Sequence, residues 1–352
     1  MRRGPLPVAV VLSLALALAG TATASTTTLQ SLYLPANNAT TASNGQILEY
    51  DSRTGAYIGV SAASQGVSQI QGLTRGPDGA LYGSYFDTNS NTDGRILRIR
   101  RDGTVQTFVA PGSGGLYSPA GLVFGPDGHL YVLNNLGNVL RFNGTTGAFM
   151  NVFAGGLSVP QDLAFGPDGN LYVTNGLGDS VSRFDGTSGA SLGLFVPGGA
   201  YGLDAPIGLT FGRSEDLYVA SFPGNTIFRF HRISGALVST FNLPYQDGQD
   251  TLLDVAFGPD QNLYASMRLA AGGTSILRLD PDTGSILGIF ANIPSPLSFN
   301  TGMLFVDQAC SSLQGVEGQA SQCFAPQSAP EPSILALLAL GLAACAGLHR
   351  RL

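Results

Sequence analysis

Short apolar runs of five or six residues, each closed by a polar turn, follow one another along most of the chain. Residues 161–196 show the unit. Gln161–Phe165 is apolar, Gly166-Pro167-Asp168-Gly169 is a turn, Asn170–Thr174 is apolar again, and Val181–Asp185 and Ser191–Val196 complete it. Proline pre-sets one backbone angle, Asp bonds its own backbone and glycine accepts a positive angle, so the first two runs predict a β-hairpin. Both faces of the second run are apolar, with Leu171 and Val173 on one and Tyr172 on the other. A sheet wet on one side would alternate apolar with polar, so these strands are expected to be covered on both faces. No helical periodicity of 3.6 residues appears between the chain ends.

The unit repeats. Leu-Tyr stands at 32–33, 81–82, 130–131, 171–172, 217–218 and 263–264, and Gly-Pro-Asp precedes it at 76–78, 125–127, 166–168 and 258–260. Phe211-Gly212 fills that slot in the fifth repeat. A period in the forties built from short strands predicts an all-β, six-bladed β-propeller of four-stranded antiparallel blades. An arginine recurs on the third strand at Arg98, Arg141, Arg229 and Arg278, where stem packing and local pairing is its expected role. Leu32 lacks a preceding inner strand, and 302–306 is an inner strand with no Leu-Tyr after it. Pairing of 32–35 with 302–306 would complete a blade from both chain ends and remove two open sheet edges.

Phe-Gly-Pro-Asp-Gly-Asn-Leu-Tyr-Val-Thr-Asn, at 165–175, resembles NHL-type propellers and the propellers of virginiamycin B lyase and gluconolactonase. The resemblance covers roughly residues 30–307 and implies the fold, whereas activity varies widely among such rings. The lyase implies a histidine and a glutamate at the channel mouth, and the lactonase a metal held by Glu, Asn and Asp.

Antiparallel geometry places the starts of the first strands and the ends of the second strands at the end of the ring opposite the Gly-Pro-Asp turns. Asp162, Asp254, Asn134 and Asn175 are the oxygen-bearing residues there, candidate ligands for a hard cation such as Ca²⁺ or Mg²⁺. The alternative is that they cap strands and satisfy loop backbone. His129 and His231 fall at the turn end and His349 in the tail, and Glu49 and Glu215 miss the expected mouth positions. No catalytic residue is therefore assigned, because hydrolysis and elimination need a placed proton-transfer group. Asp87, Asn89, Asn91 and Asp93 form an alternative calcium loop, although Thr92 stands where an EF-hand requires glycine and Arg98 where it requires glutamate.

Composition narrows the partners. The chain has no lysine, and between residues 25 and 329 it holds 13 arginines against 22 acidic residues. An acidic body with dispersed arginines excludes the clustered basic face that nucleic acid needs. Arg2-Arg3, the apolar run 8–19 and Ala22-Thr23-Ala24 predict a secretory signal peptide over 1–24. The propeller is expected over 25–307 and a linker over 308–329, where Cys310 and Cys323 are placed to form a disulfide in an exported protein.

The last segment, 330–352, joins Pro330-Glu331-Pro332 to a sixteen-residue apolar run and a basic end at Arg350-Arg351. It resembles the PEP-CTERM sorting signal of Gram-negative bacteria. That resemblance implies processing by an exosortase, transient inner-membrane anchoring through the C-terminal helix, and a final place in the periplasm, at the cell surface or outside the cell. Its carriers accompany extracellular polysaccharide and biofilm formation. The expected function is an exported, non-catalytic binding propeller, with a metal-dependent hydrolase or lyase as the alternative.

Overall fold

The computed structural model describes residues 30–38, 44–65, 70–86, 94–222, 224–244, 250–294, 297–299 and 302–306. They form six antiparallel sheets arranged as propeller blades. Blade I combines residues 31–65 with two short strands, Leu297–Phe299 and Leu304–Val306. Blades II to VI span 70–109, 119–155, 160–196, 206–242 and 251–293. Two turns of 3₁₀ helix, Ser113–Gly115 and Ala200–Gly202, are the helical elements among the described residues.

Blade IV follows the sequence expectation to within one residue. Its strands are Pro160–Phe165, Leu171–Asn175, Ser180–Phe184 and Ser191–Val196. Asn170 belongs to the turn because its backbone N–H donates to Asp168 Oδ1 at 3.1 Å and its side-chain amide to Oδ2 at 2.7 Å. The ring closes through the two chain ends, with Ser31 opposite Val306, Leu32 opposite Phe305 and Tyr33 opposite Leu304. Leu297–Phe299 extends the seam, with Ala36 opposite Phe299.

Six apolar clusters are strung around the ring, and each draws side chains from two neighbouring blades. The Leu-Tyr tyrosine is the pin of each regular junction. Tyr172 is fully buried and meets Phe195 of its own outer strand and Phe211 of the next blade edge-on, both with centroids 5.0 Å away. Its hydroxyl donates to Asp168 Oδ2 at 2.9 Å, so the ring is packed and its polar tip is satisfied. Burying an aromatic of this size contributes a few kcal/mol, and each edge-on pair adds about 0.5–1.5 kcal/mol.

Four of the repeated arginines pair with aspartates, and Arg183 of blade IV lies over the Phe195 ring at 5.7 Å. Arg98 meets Asp78, Arg229 Nε lies 2.9 Å from Asp216 Oδ2, and Arg141 and Arg278 lie 3.7 and 3.8 Å from Asp127 and Asp260. Glycine is required in the turn between third and outer strands. At Gly189 φ is +74°, and a Cβ there would stand 1.9 Å from the Phe153 carbonyl oxygen of the preceding blade.

Candidate functional site

The inner strands converge on the central channel at the end opposite the Gly-Pro-Asp turns. Gly72, Gly121, Asp162, Gly208 and Gly302 line a cavity of about 30 Å³ there, and Asp254 sits directly behind Gly208. A Cβ on Gly208 would approach Asp254 Oδ1 to 2.3 Å, so only glycine lets the two strands come this close. The cavity has room for about one water molecule.

The two aspartates are brought together here, and both are occupied. Asp162 Oδ1 accepts the Leu163 N–H at 2.8 Å, and Oδ2 accepts the Leu209 N–H of blade V at 3.1 Å. Asp254 Oδ1 accepts Val255 N–H at 2.8 Å. Its Oδ2 accepts Gly302 and Met303 N–H of blade I at 3.0 and 2.8 Å. Each carboxylate therefore straps its own inner strand to the next blade. Ser84 and Thr174 do the same, donating to the carbonyl oxygens of Ala120 at 2.6 Å and Ile207 at 2.9 Å.

Burial raises both carboxyls well above the usual carboxylate range, and the nearby Asp254 charge raises Asp162 further. Three N–H donors serve Asp254 and two serve Asp162, and these bonds oppose the upward shift at both carboxyls.

Asn134 and Asn175 are held in loop caps. Asn134 Oδ1 accepts Tyr117 N–H at 3.0 Å, and its amide donates to Gly115 O and Asn138 Oδ1, each at 3.1 Å. Asn175 Oδ1 accepts Ser158 N–H at 3.2 Å, and its amide reaches Ser180 and Ser182 Oγ at 3.2 and 2.8 Å. Asn225, which the sequence did not single out, binds Leu252 N–H and Asp250 O in the same fashion. Among the described residues no group of three His, Cys, Asp or Glu side chains is arranged to hold a metal ion. The loop with Asp87, Asn89, Asn91 and Asp93, the cysteines Cys310 and Cys323, the signal peptide and the C-terminal segment lie outside the described residues.

The histidines stand at the turn end. His129 Nδ1 accepts Gly144 N–H at 3.4 Å, and His231 Nδ1 lies 3.2 Å from Ser234 Oγ. A second polar group, missed in the sequence, lies at this same end between blades I and II. Glu49 occupies the third-strand position of the arginines and accepts Ser31 Oγ at 2.6 Å, Tyr33 OH at 3.0 Å and Ser61 Oγ at 2.6 Å. Burial alone would raise its pKa, but these hydroxyls and the Arg101 charge hold it below the usual value. Tyr33, Ser61, Arg75, Arg100 and Arg101 line a cleft of about 30 Å³ beside it. The signal was present as departures from the repeat, with Glu, Ser and Arg where other blades carry Arg, Phe and Phe.

The ring is similar to solved propellers of different activities. A nidogen/laminin complex aligns at a TM-score of 0.59 and 18% identity, covering 77% of this chain and 97% of the other. The periplasmic gluconolactonase of Pseudomonas aeruginosa aligns at 0.53 and 18% identity, covering 73% and 81%. Virginiamycin B lyase of Staphylococcus aureus aligns at 0.51 and 18% identity, covering 79% and 96%. Identity this low carries the fold alone. No curated protein sequence matches the chain. Residues 328–351 match the PEP-CTERM protein-sorting motif, which indicates export, sorting to the cell envelope and processing by an exosortase. The chain is a sorted, exported six-bladed β-propeller.

Proposed function

We propose that the propeller is a non-catalytic binding module of the cell surface or extracellular matrix, with exopolysaccharide of the biofilm as its ligand class. One observation carries this reading. The two carboxyls at the channel are spent on backbone N–H groups of the neighbouring blades, and the cavity they border holds about 30 Å³. The outer surface of the ring, and not its channel, is thus the part available to a polymer. The C-terminal apolar run anchors the protein in the inner membrane until the exosortase releases it.

The test is co-sedimentation of the full-length protein with extracted exopolysaccharide, alongside turnover assays on lactones and uronates. Saturable binding without turnover supports the module; turnover lost in Asp162→Asn overturns it. A metal-dependent hydrolase or lyase is the second reading, favoured by the raised pKa that burial and the Asp254 charge give Asp162 beside the channel. It requires Ca²⁺ or Mg²⁺ at Asp162 and Asp254. An ion at a hundred times its dissociation constant would stabilise the fold by about 2.7 kcal/mol. A thermal melt with chelator and then with either ion reads that shift.

A further inference from the structure

Five of the six blade junctions use the same aromatic clasp. Tyr82, Tyr131, Tyr172, Tyr218 and Tyr264 meet Phe124, Phe165, Phe211, Phe257 and Phe305 of the next inner strand at 4.7–5.1 Å. Each also meets a phenylalanine of its own outer strand. The junction of blades I and II departs from this at three registered positions. Arg75 stands where the next inner strand carries Phe, Ser61 where the outer strand carries Phe, and Glu49 opposite Tyr33 where the third strand carries Arg. The substitutions fall on one spot and open the cleft beside Tyr33.

Arg100 and Arg101 enter the same cleft from the turn between the third and outer strands of blade II. No ion pair or side-chain hydrogen bond engages Arg75, Arg100 or Arg101 among the described residues, whereas Arg98 next to them is paired with Asp78. Glu49 accepts three hydroxyls and lies within electrostatic reach of Arg101, and Asp102 lies within reach of Arg100. Three arginines against the two carboxylates of Glu49 and Asp102 leave the cleft net positive in an acidic chain. The hydroxyls of Tyr33 and Ser61 donate their protons to Glu49, so their oxygens are left as acceptors.

We propose that an acidic sugar docks over this cleft, its carboxylate seated in it against Arg75, Arg100 and Arg101 and its neighbouring hydroxyls meeting the oxygens of Tyr33 and Ser61. The planar guanidinium fork suits a carboxylate, and the acceptor oxygens distinguish a sugar acid from a bare anion. The proposal rests on the polysaccharide-binding reading and names its site and the charge of its ligand. It places recognition at the turn end of the ring, opposite the channel mouth.

The test is calorimetric titration of the full-length protein with D-glucuronate, D-glucose and acetate. Glucuronate is expected to saturate, glucose not to bind, and acetate to bind about tenfold more weakly. Arg101→Gln, at an exposed position, should weaken glucuronate by about tenfold or more, the worth of one charge-assisted hydrogen bond. Arg213→Gln removes the same charge from an exposed turn of blade V and should leave binding unchanged. The double variant Ser61→Phe/Arg75→Phe restores the repeat and should abolish binding; if it fails to fold, Arg101→Gln alone decides. Absence of saturation by glucuronate, equal binding of glucose or acetate, or equal losses in Arg101→Gln and Arg213→Gln would overturn the proposal. Exopolysaccharide bound equally by wild type and Arg101→Gln overturns this site and leaves the module standing. Glucuronate bound at the cleft with no polysaccharide bound overturns the module and leaves the site.

Discussion

The junction between blades IV and V and the junction between blades I and II occupy the same place in the repeat and are built from opposite materials. At the first, Tyr172 is clamped by Phe195 and Phe211 and tipped onto Asp168. At the second, Tyr33 has Ser61 and Arg75 in place of the two phenylalanines and Glu49 beneath its hydroxyl. The regular junction gains from dispersion and apolar burial, and the Tyr172 hydroxyl has its partner in Asp168. The irregular one gives up that packing for a wet, charged cleft. The difference teaches that a repeat tolerates one polar junction because five others hold the ring, and that the break is the place to seek a ligand.

Removing the seam tests how far the ring depends on its closure. Deletion of 302–306 strips the inner strand from blade I and exposes the edge formed by Ser31–Asn38. The expected outcome is loss of the cooperative melting transition of the whole ring, and an unchanged midpoint would show blade I to be an appendage. Asp254→Ala comes next, since it leaves three backbone N–H groups without their acceptor. Each unpaired buried group costs about 1–3 kcal/mol, so chemical denaturation should show a loss of at least about 3 kcal/mol. A loss below about 1 kcal/mol would mean that water replaces the strap.

Tyr172→Ala and Tyr33→Ala compare the junctions directly. The first should cost about 3–5 kcal/mol, the usual range for truncating a large buried aromatic. The second should cost less by about 1–3 kcal/mol, because two aromatic pairs are absent there. Equal costs would show that the phenylalanines contribute only bulk. The buried carboxyl pair adds a pH dependence. The Asp162 carboxyl binds its proton in the folded ring up to about pH 8 and in the unfolded chain only up to its ordinary value of 3.8. Between those values the folded state holds more protons, so stability falls as pH rises through this window, by at most about 1.4 kcal/mol per pH unit. Asp162→Asn should flatten that dependence in denaturation curves taken at pH 5 and pH 8. A slope unchanged in the variant would assign the titration elsewhere.

Much of the ring was legible because its signals are local. Gly-Pro-Asp-Gly makes its turn from its own backbone and side chains, as the bond from Asn170 N–H to Asp168 Oδ1 shows. Such signals lie between neighbours in sequence, which is why the strands of blade IV came within about one residue of expectation, while the chain ends pair as expected but over 31–33 with 304–306, with 297–299 added to the seam. The candidate site was legible in part. Position along the strand sufficed to place Asp162 and Asp254 at the channel, but not to show that their oxygens face Leu209 and Met303 of the next blade. The polar junction went unread because its residues are far apart in the chain and unremarkable singly. Ser61, Arg75 and Glu49 acquire meaning only when aligned on the repeat and folded against each other.

The sequence by itself determined the turn chemistry and the C-terminal sorting motif, each written within a few consecutive residues, and the architecture and seam, read from the repeat and from its two incomplete ends. Tertiary structure alone decided which polar atoms remain unspent. Contacts between blades pair side chains separated by a whole repeat or more, and only those contacts consume the channel carboxylates and leave three arginines facing an open cleft.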